Sequence, residues 1–206
     1  MPGMYAEIGT TIRSGSCILS ESVQPAHSFI RNFMLDIRAG FVGVGSRYNL
    51  SGTTRGALFA EPTDSTYNWC EGGFALNHGS EEGGSAGIVV GSGDTPFSPF
   101  HNNLVMTIPH GDVDNTLHRS AMSLIEPTIA ADGQSISIEY RRSFANNGSV
   151  DVTVKEVGLI GKPGYDGYYL REYYDHILYM RDVLDAPICV IPGKQLDVAI
   201  RVKTEL

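Results

Sequence analysis

Apolar and polar side chains alternate most regularly in the last hundred residues of the chain. In residues 135–140 and 150–155, Ile, Val and Tyr alternate with polar residues, which is the period of a half-buried β-strand. Further strands are predicted over residues 176–184 and 196–203. We therefore expect five or so strands within residues 101–206 to form the core of the protein.

Two short segments in this region have the residue types of tight turns. Asn146-Asn147-Gly148 separates the first two predicted strands, and Pro192-Gly193 precedes the last one. Asn and Gly tolerate positive φ angles, which short hairpin loops require. We therefore expect the strands on either side of Asn146-Asn147-Gly148 to pair as an antiparallel hairpin.

One segment has helical rather than alternating periodicity. Pro25 stands where a first helical residue would be, and Gly40 is a natural helix end. Between them, apolar residues recur every three or four positions, at Ala26, Phe29, Ile30, Phe33, Met34 and Ile37. The pattern predicts an amphipathic helix from Gln24 to Gly40 that packs on a sheet or on a neighbouring subunit.

The fold class follows from these elements. Glycine, at 24 of 206 residues, is about twice as frequent as usual, which favours strands joined by tight turns. We predict one mainly β domain over residues 1–206, with a β-sandwich or jelly-roll-like fold. Residues 1–45 would hold an N-terminal strand or arm and the helix, residues 46–100 a loop-rich region with short strands, and residues 101–206 the core strands.

The charge and hydropathy of the chain exclude some classes of partner. The net charge is −8, the sequence pI is about 5.1, and Lys and Arg form no run that could neutralise successive phosphates. No apolar run approaches the roughly 20 residues that span a bilayer, and the N-terminal residues do not resemble a signal peptide. We expect a soluble protein, made in a cytoplasm, that binds neither nucleic acid nor a membrane directly.

Cysteine usage predicts neither disulfides nor a zinc site. Cys17, Cys70 and Cys189 are far apart, odd in number and not arranged as a CxxC pair. Free cysteine usually behaves as a small apolar side chain in the protein interior. We therefore interpret all three residues as buried free thiols.

Two segments superficially resemble ligand-binding motifs. Gly91-Ser92-Gly93-Asp94 follows an apolar stretch as a phosphate-binding loop would, but Pro96 interrupts the helix that must follow and no Lys-Ser/Thr pair is present. Residues 110–115 (His-Gly-Asp-Val-Asp-Asn) offer oxygen ligands at alternating positions, but lack the later Gly and Glu of a calcium loop. Each segment is predicted to be a turn, with no metal and no cofactor.

No arrangement of residues predicts catalysis. The chain has no Gly-x-Ser-x-Gly elbow, and no pair of carboxylates that the sequence would place in a cleft. We expect a protein that is not an enzyme, and rank a hydrolase on a β-sandwich last among the possible functions.

Tyrosines are concentrated in one Gly-rich segment, residues 161–174. They form either a contact surface for a partner or a sugar, or a loop folded back on its own core. The interface candidates are four of these tyrosines, the single tryptophan of the chain and an arginine of the same segment. They are Trp69, Tyr165, Tyr168, Tyr169, Arg171 and Tyr173.

A second candidate site is structural. Glu156 and Arg181 fall on neighbouring predicted strands and could pair across the sheet, with Gly158 accommodating a bulge or a close backbone approach. We predict that this pair holds the fold together.

The chain resembles a family of small structural proteins encoded in the genomes of tailed phages and prophages. The segments that carry the resemblance follow one another along most of the chain and are Ala26–Phe33, Gly87–Thr95, Asn146–Gly148, Lys155–Leu159 and Tyr179–Leu184. The resemblance implies a virion component with no catalytic residues, assembled in the host cytoplasm.

The resemblance does not fix a position in the particle. Capsid decoration is our first interpretation, with a homo-oligomer, such as a trimer, bound to the major capsid protein. The alternative is a neck, collar, tail or baseplate component that binds tail or neck proteins. A third interpretation is a carbohydrate- or receptor-binding β-sandwich that uses Trp69 and the tyrosines as stacking platforms.

Overall fold

A computed structural model describes residues 4–26, 44–48, 54–58, 82–131, 133–161 and 176–205. The described residues form strands joined by turns and loops. The strands are β1 Met4–Ser14, β2 Cys17–Ala26, β3 Val44–Tyr48, β4 Thr54–Leu58, β5 Gly87–Gly91, β6 His118–Arg119, β7 Ser123–Ile129, β8 Ser135–Ala145, β9 Val152–Gly161, β10 Ile177–Val190 and β11 Gln195–Glu205.

These strands pair in antiparallel fashion throughout. The larger sheet has the order β2-β1-β11-β8, and both β6 and β7 pair with β8. The smaller sheet has the order β10-β9-β5, and β3 and β4 pair with each other. The prediction of a mainly β protein is therefore confirmed for the described residues, which contain two principal antiparallel sheets.

One hydrophobic core joins the two principal sheets. In the larger sheet, Ile8 of β1, Phe144 of β8 and Ile200 of β11 are buried, because alternate residues of each strand face inward. From the smaller sheet, Val157 and Tyr179 pack into the same cluster. The core thus includes residues of β1 and β5 as well as the later strands that we expected to form it.

The outer face of the smaller sheet is also covered. Val89, Ile160 and Leu178 lie on that face and pack against Leu104, with Phe97 at the margin of the cluster. Strand β9 therefore has apolar neighbours on both sides, and its last six residues are all buried. The segment that contains Leu104 and Phe97 forms the site described in the next subsection.

The predicted hairpin at Asn146-Asn147-Gly148 is wrong. Strand β8 pairs with β11 and β9 pairs with β10, so the chain crosses from one sheet to the other at this turn. The side chain of Asn146 is buried and donates hydrogen bonds to the carbonyl oxygens of Val150 and Val190, at 2.8 and 2.6 Å. The turn residues therefore bind the β8–β9 connection to the end of β10 instead of closing a hairpin.

Two other expectations need correction. Gln24, Pro25 and Ala26 lie in β2, where Gln24 pairs with Ile8, so no helix begins at Gln24. The rest of the predicted helix lies outside the described residues. Cys17 and Cys189 are exposed rather than buried, because both lie near strand ends, and Cys70 lies outside the described residues.

No described segment is a helix of the length and apolar character needed to cross a membrane.

Candidate functional site

A long irregular segment lies over the smaller sheet. Residues 92–107 connect β5 to the turns before β6 without forming a strand of their own, apart from an isolated bridge between Gly91 and Thr107. We call this segment the clamped loop. Loops of this length in a compact domain are usually functional, and they need specific contacts to stay ordered.

A buried ion pair lies beneath the clamped loop. Nε of Arg181 on β10 donates to Oε2 of Glu156 on β9 at 2.7 Å, and both side chains are 0% exposed. Gly158 lies directly opposite Arg181 in the strand pairing, and a Cβ there would lie 2.4 Å from Leu104. The sequence predicts that Glu156 and Arg181 lie on adjacent strands, and the structure brings their side chains into contact at the point where Gly158 leaves room for the loop.

The carboxylate of Glu156 holds both arms of the clamped loop. Oε1 accepts the backbone N–H groups of Gly93 and Met106 at 3.2 and 2.9 Å, and Oε2 accepts that of Val105 at 3.2 Å. With Arg181, four donors converge on one buried carboxylate. Charge-assisted bonds of this kind are about twice as strong as neutral ones, so they order a segment that has no strand pairing of its own.

The guanidinium of Arg181 holds the middle of the clamped loop. Nη2 donates to the carbonyl oxygen of Thr95 at 2.9 Å, and Nη1 lies 3.1 Å from Nδ1 of His101. The pKa of His101 is lowered from its usual value, first by burial of the ring and second by the positive charge of Arg181. We refer to Glu156, Arg181 and His101 together as the clamp.

The glycines of Gly91-Ser92-Gly93 make room for the clamp. A Cβ at Gly91 would lie 2.5 Å from Oε1 of Glu156, and a Cβ at Gly93 would lie 2.6 Å from the same oxygen. This motif superficially resembled a phosphate-binding loop, and one of its backbone N–H groups does bind an anion. The anion is the protein's own Glu156 carboxylate, which occupies the space that the glycines leave open.

Three apolar residues lie on the outer surface of the clamped loop. Phe100, Met106 and Val105 are 67%, 61% and 46% exposed. At its margin Lys155 of β9 donates to Asp94 at 2.9 Å, and this lysine lowers the pKa of the Asp94 carboxyl. The loop therefore presents exposed apolar side chains from a backbone that is fixed from beneath, which is the arrangement expected of a contact surface.

The segment of residues 110–115 forms a turn in the structure. Asp114 accepts hydrogen bonds from the backbone N–H and the hydroxyl of Ser149, and these bonds lower the pKa of its carboxyl. Asp112 accepts from Asn147 and lies 2.8 Å from His118, and these two contacts lower its pKa in the same way. Both carboxylates thus stabilise the β8–β9 connection.

Among the described residues, no three His, Cys, Asp or Glu side chains are grouped to hold a metal ion.

The structure covers the predicted site residues unequally. Glu156 and Arg181 lie at the centre of the site, whereas the aromatic and arginine interface candidates lie outside the described residues, namely Trp69, Tyr165, Tyr168, Tyr169, Arg171 and Tyr173. His101 and the exposed residues Phe100 and Met106 are not among the residues predicted from the sequence. Two features of the sequence could have indicated them. The glycines of Gly91-Ser92-Gly93 leave space for an anion, and apolar residues occur in residues 92–107 without the alternation of a strand.

Comparison with known protein families, with curated protein sequences and with solved structures gave no match to this chain.

Proposed function

We propose that this chain is a non-enzymatic structural protein of a tailed-phage virion, and that the clamped loop packs against another subunit. Capsid decoration is the position that we favour, and a neck, collar, tail or baseplate position is the alternative. The partners would be the major capsid protein or tail and neck proteins, with further copies of this chain completing a homo-oligomer such as a trimer. We also propose that the two sheets belong to a β-sandwich or jelly-roll-like domain.

The single observation that carries the proposal is the apolar surface of a pre-ordered loop. Full burial of an apolar side chain stabilises an interface by about 1.5–3 kcal/mol. Phe100 and Met106 have most of this surface still exposed. Because the clamp already fixes the backbone, the free energy of binding would not have to offset the conformational entropy lost when a loop becomes ordered.

The test measures mass and binding together. The purified protein is analysed by light scattering after size exclusion, with and without purified heads that lack it, from the phage or prophage that encodes the chain. We expect stoichiometric binding of the wild type, and loss of binding in the double variant Phe100→Ser/Met106→Ser.

A matched control removes exposed apolar side chains elsewhere. Ile18 and Leu19 of β2 are 50% and 55% exposed and belong to the larger sheet. Ile18→Ser/Leu19→Ser should bind heads as the wild type does. If the loop variant binds equally well, the clamped loop is not the contact surface. If the wild type ignores heads but joins tails or forms rings, the position in the particle is wrong.

A groove on the outer face of the larger sheet favours a second candidate function, binding of a small polar ligand such as a saccharide. The groove has a volume of about 450 Å³, and its lining includes Gly9, Thr11, Arg13, Glu21, Ser143 and Asp197. Binding of the isolated protein to a glycan array, abolished by Gly9→Leu in the lining of the groove, would support this function. Absence of any glycan binding would exclude it.

A further inference from the structure

The ring of His101 accepts two hydrogen bonds at one nitrogen. The backbone N–H of Ser98 and Nη1 of Arg181 both lie 3.1 Å from Nδ1. A guanidinium can only donate, so Nδ1 must act as the acceptor in this arrangement. The neutral ring then carries its proton on Nε2, and Nδ1 has no space for the proton that would charge the ring while both donors are in place.

The charged groups that face this ring come from two strands. Arg181 projects from β10 and opposes a positive charge on the ring, whereas Glu156 projects from β9 and favours one. From its own loop, the ring meets Phe97 edge to face, with the ring centres 6.5 Å apart. Burial and Arg181 outweigh Glu156, so the pKa of His101 in the folded protein lies below its usual value.

We infer that the clamped loop has an acid-release switch, in which a proton on Nδ1 of His101 breaks the bonds to Ser98 and Arg181 and frees residues 98–101 from the clamp. Glu156 continues to hold the two arms at Gly93, Val105 and Met106, and Nη2 of Arg181 continues to hold Thr95. The release is therefore local, and it moves the part of the loop that contains Phe100.

The direction of the effect follows from the sign of the shift. The folded-state pKa of His101 is lowered, so the unfolded or released form binds the proton more readily. The attachment of the loop is intact above the usual histidine pKa of about 6.5 and weakens as the pH falls below it. If the clamped loop is also the contact surface proposed above, acid would loosen the chain from its partner, and only this consequence rests on the proposed function.

The amide of Ser98 reports on the switch directly. Its hydrogen-exchange protection factor, measured by NMR on the isolated protein between pH 7.5 and pH 5, should fall about tenfold or more, as expected for loss of a hydrogen bond together with a charged partner. The amide of Met106, which bonds Glu156, should keep its protection. If Ser98 keeps its protection, or if Met106 loses it in parallel, the inference is wrong.

Two variants and one titration distinguish the effect of protonating His101 from the effect of protonating other groups. His101→Asn retains an acceptor oxygen near the position of Nδ1 but cannot titrate, so Ser98 should stay protected at both pH values. His118→Asn, outside the loop, should respond as the wild type does. In the wild type, the ring carbon shift of His101 should titrate below 6.5. A midpoint at or above 6.5, or loss of Ser98 protection in His101→Asn, would overturn the inference.

Discussion

The two principal sheets carry ion pairs in different surroundings. On the outer face of the larger sheet, Lys203 donates to Glu7 at 2.8 Å, and these side chains are 23% and 25% exposed. Arg201, which is 39% exposed, pairs there with Glu139, which is 8% exposed. In the smaller sheet, Glu156 and Arg181 are 0% exposed.

The bonds that these groups make also differ. The surface pairs join side chain to side chain, whereas the buried pair also binds backbone groups of the clamped loop. Ion pairs that water reaches are screened by water and salt, and the median contribution of pairs at the surface is about 0–1 kcal/mol. The buried pair instead determines where a long loop lies, so its loss should be felt in both stability and loop order.

Breaking the clamp should have the largest effect. Glu156→Gln places an amide among four donors, and Arg181→Gln leaves a buried carboxylate without its cation. Each substitution should lower the free energy of unfolding by about 3–5 kcal/mol. The double variant should lose less than the sum of the two, and urea denaturation of all four proteins measures this coupling. Small and additive losses would contradict the predicted structural role of the pair.

Filling the space beside the clamp should have the next largest effect. A Cβ at Gly93 would lie 2.6 Å from both Oε1 of Glu156 and Cβ of Val105. We expect Gly93→Ala to destabilise the protein by about 1–3 kcal/mol through overpacking.

Its control is Gly9→Ala on the outer face of the larger sheet. A Cβ there would lie 3.7 Å from Ala199, an ordinary contact distance. Its stability should stay within about 0.5 kcal/mol of the wild type, as at most surface positions. Thermal or urea melts compare the two variants, and equal effects would show that the space beside Glu156 is not tightly filled.

Breaking a surface pair should have a small effect that depends on salt. Lys203→Gln removes one of two cations that pair with Glu7, the other being Arg201, and it also removes the cation that lies 5.7 Å from the ring centre of Tyr5. The expected loss is at most about 1 kcal/mol in dilute buffer and less at 1 M salt. A loss as large as that of Glu156→Gln, or one that persists at high salt, would remove the distinction between the two sheets.

Acid should weaken the surface network gradually. Burial tends to raise the pKa of Glu139, but hydrogen bonds and charges from Arg141 and Arg201 outweigh it, so the pKa lies below its usual value. The stabilisation from Glu139 is therefore present above the unfolded pKa and is lost as the pH falls through the folded one. Stability measured between pH 6 and pH 3 should decline less in Glu139→Gln than in the wild type, and identical curves would count against the network.

Strand positions were readable from the sequence wherever one face is buried. Residues 196–203 alternate because β11 lies at the centre of the larger sheet, where Leu196, Val198 and Ile200 are buried. In residues 135–140 the alternation correctly indicated a strand, although Ile136 and Ile138 are only partly buried and Glu139 is buried. The pairing of the strands was not readable. Asn146 fits a hairpin turn as well as it fits a crossing, and only bonds to the distant residues Val190 and Lys194 decide between the two.

The site was predictable only in part, for the same reason. Two opposite charges on adjacent strands predicted the contact of Glu156 with Arg181. Their bonds to Thr95 and Met106 span 86 and 50 residues and leave no periodic trace in the sequence. The periodicity that predicted a helix from Gln24 was likewise overridden at its start, where pairing with β1 draws Gln24 into a strand.

The central claim is that the buried ion pair of Glu156 and Arg181 keeps the clamped loop ordered before it contacts another subunit. Hydrogen exchange followed by mass spectrometry on peptides from residues 92–107 tests it most directly, in the wild type, Glu156→Gln and Lys203→Gln. We predict strong protection in the wild type and in Lys203→Gln, and loss of protection in Glu156→Gln under conditions where peptides from β1 and β11 stay protected. Rapid exchange of the loop in the wild type, or full protection in Glu156→Gln, would contradict the claim.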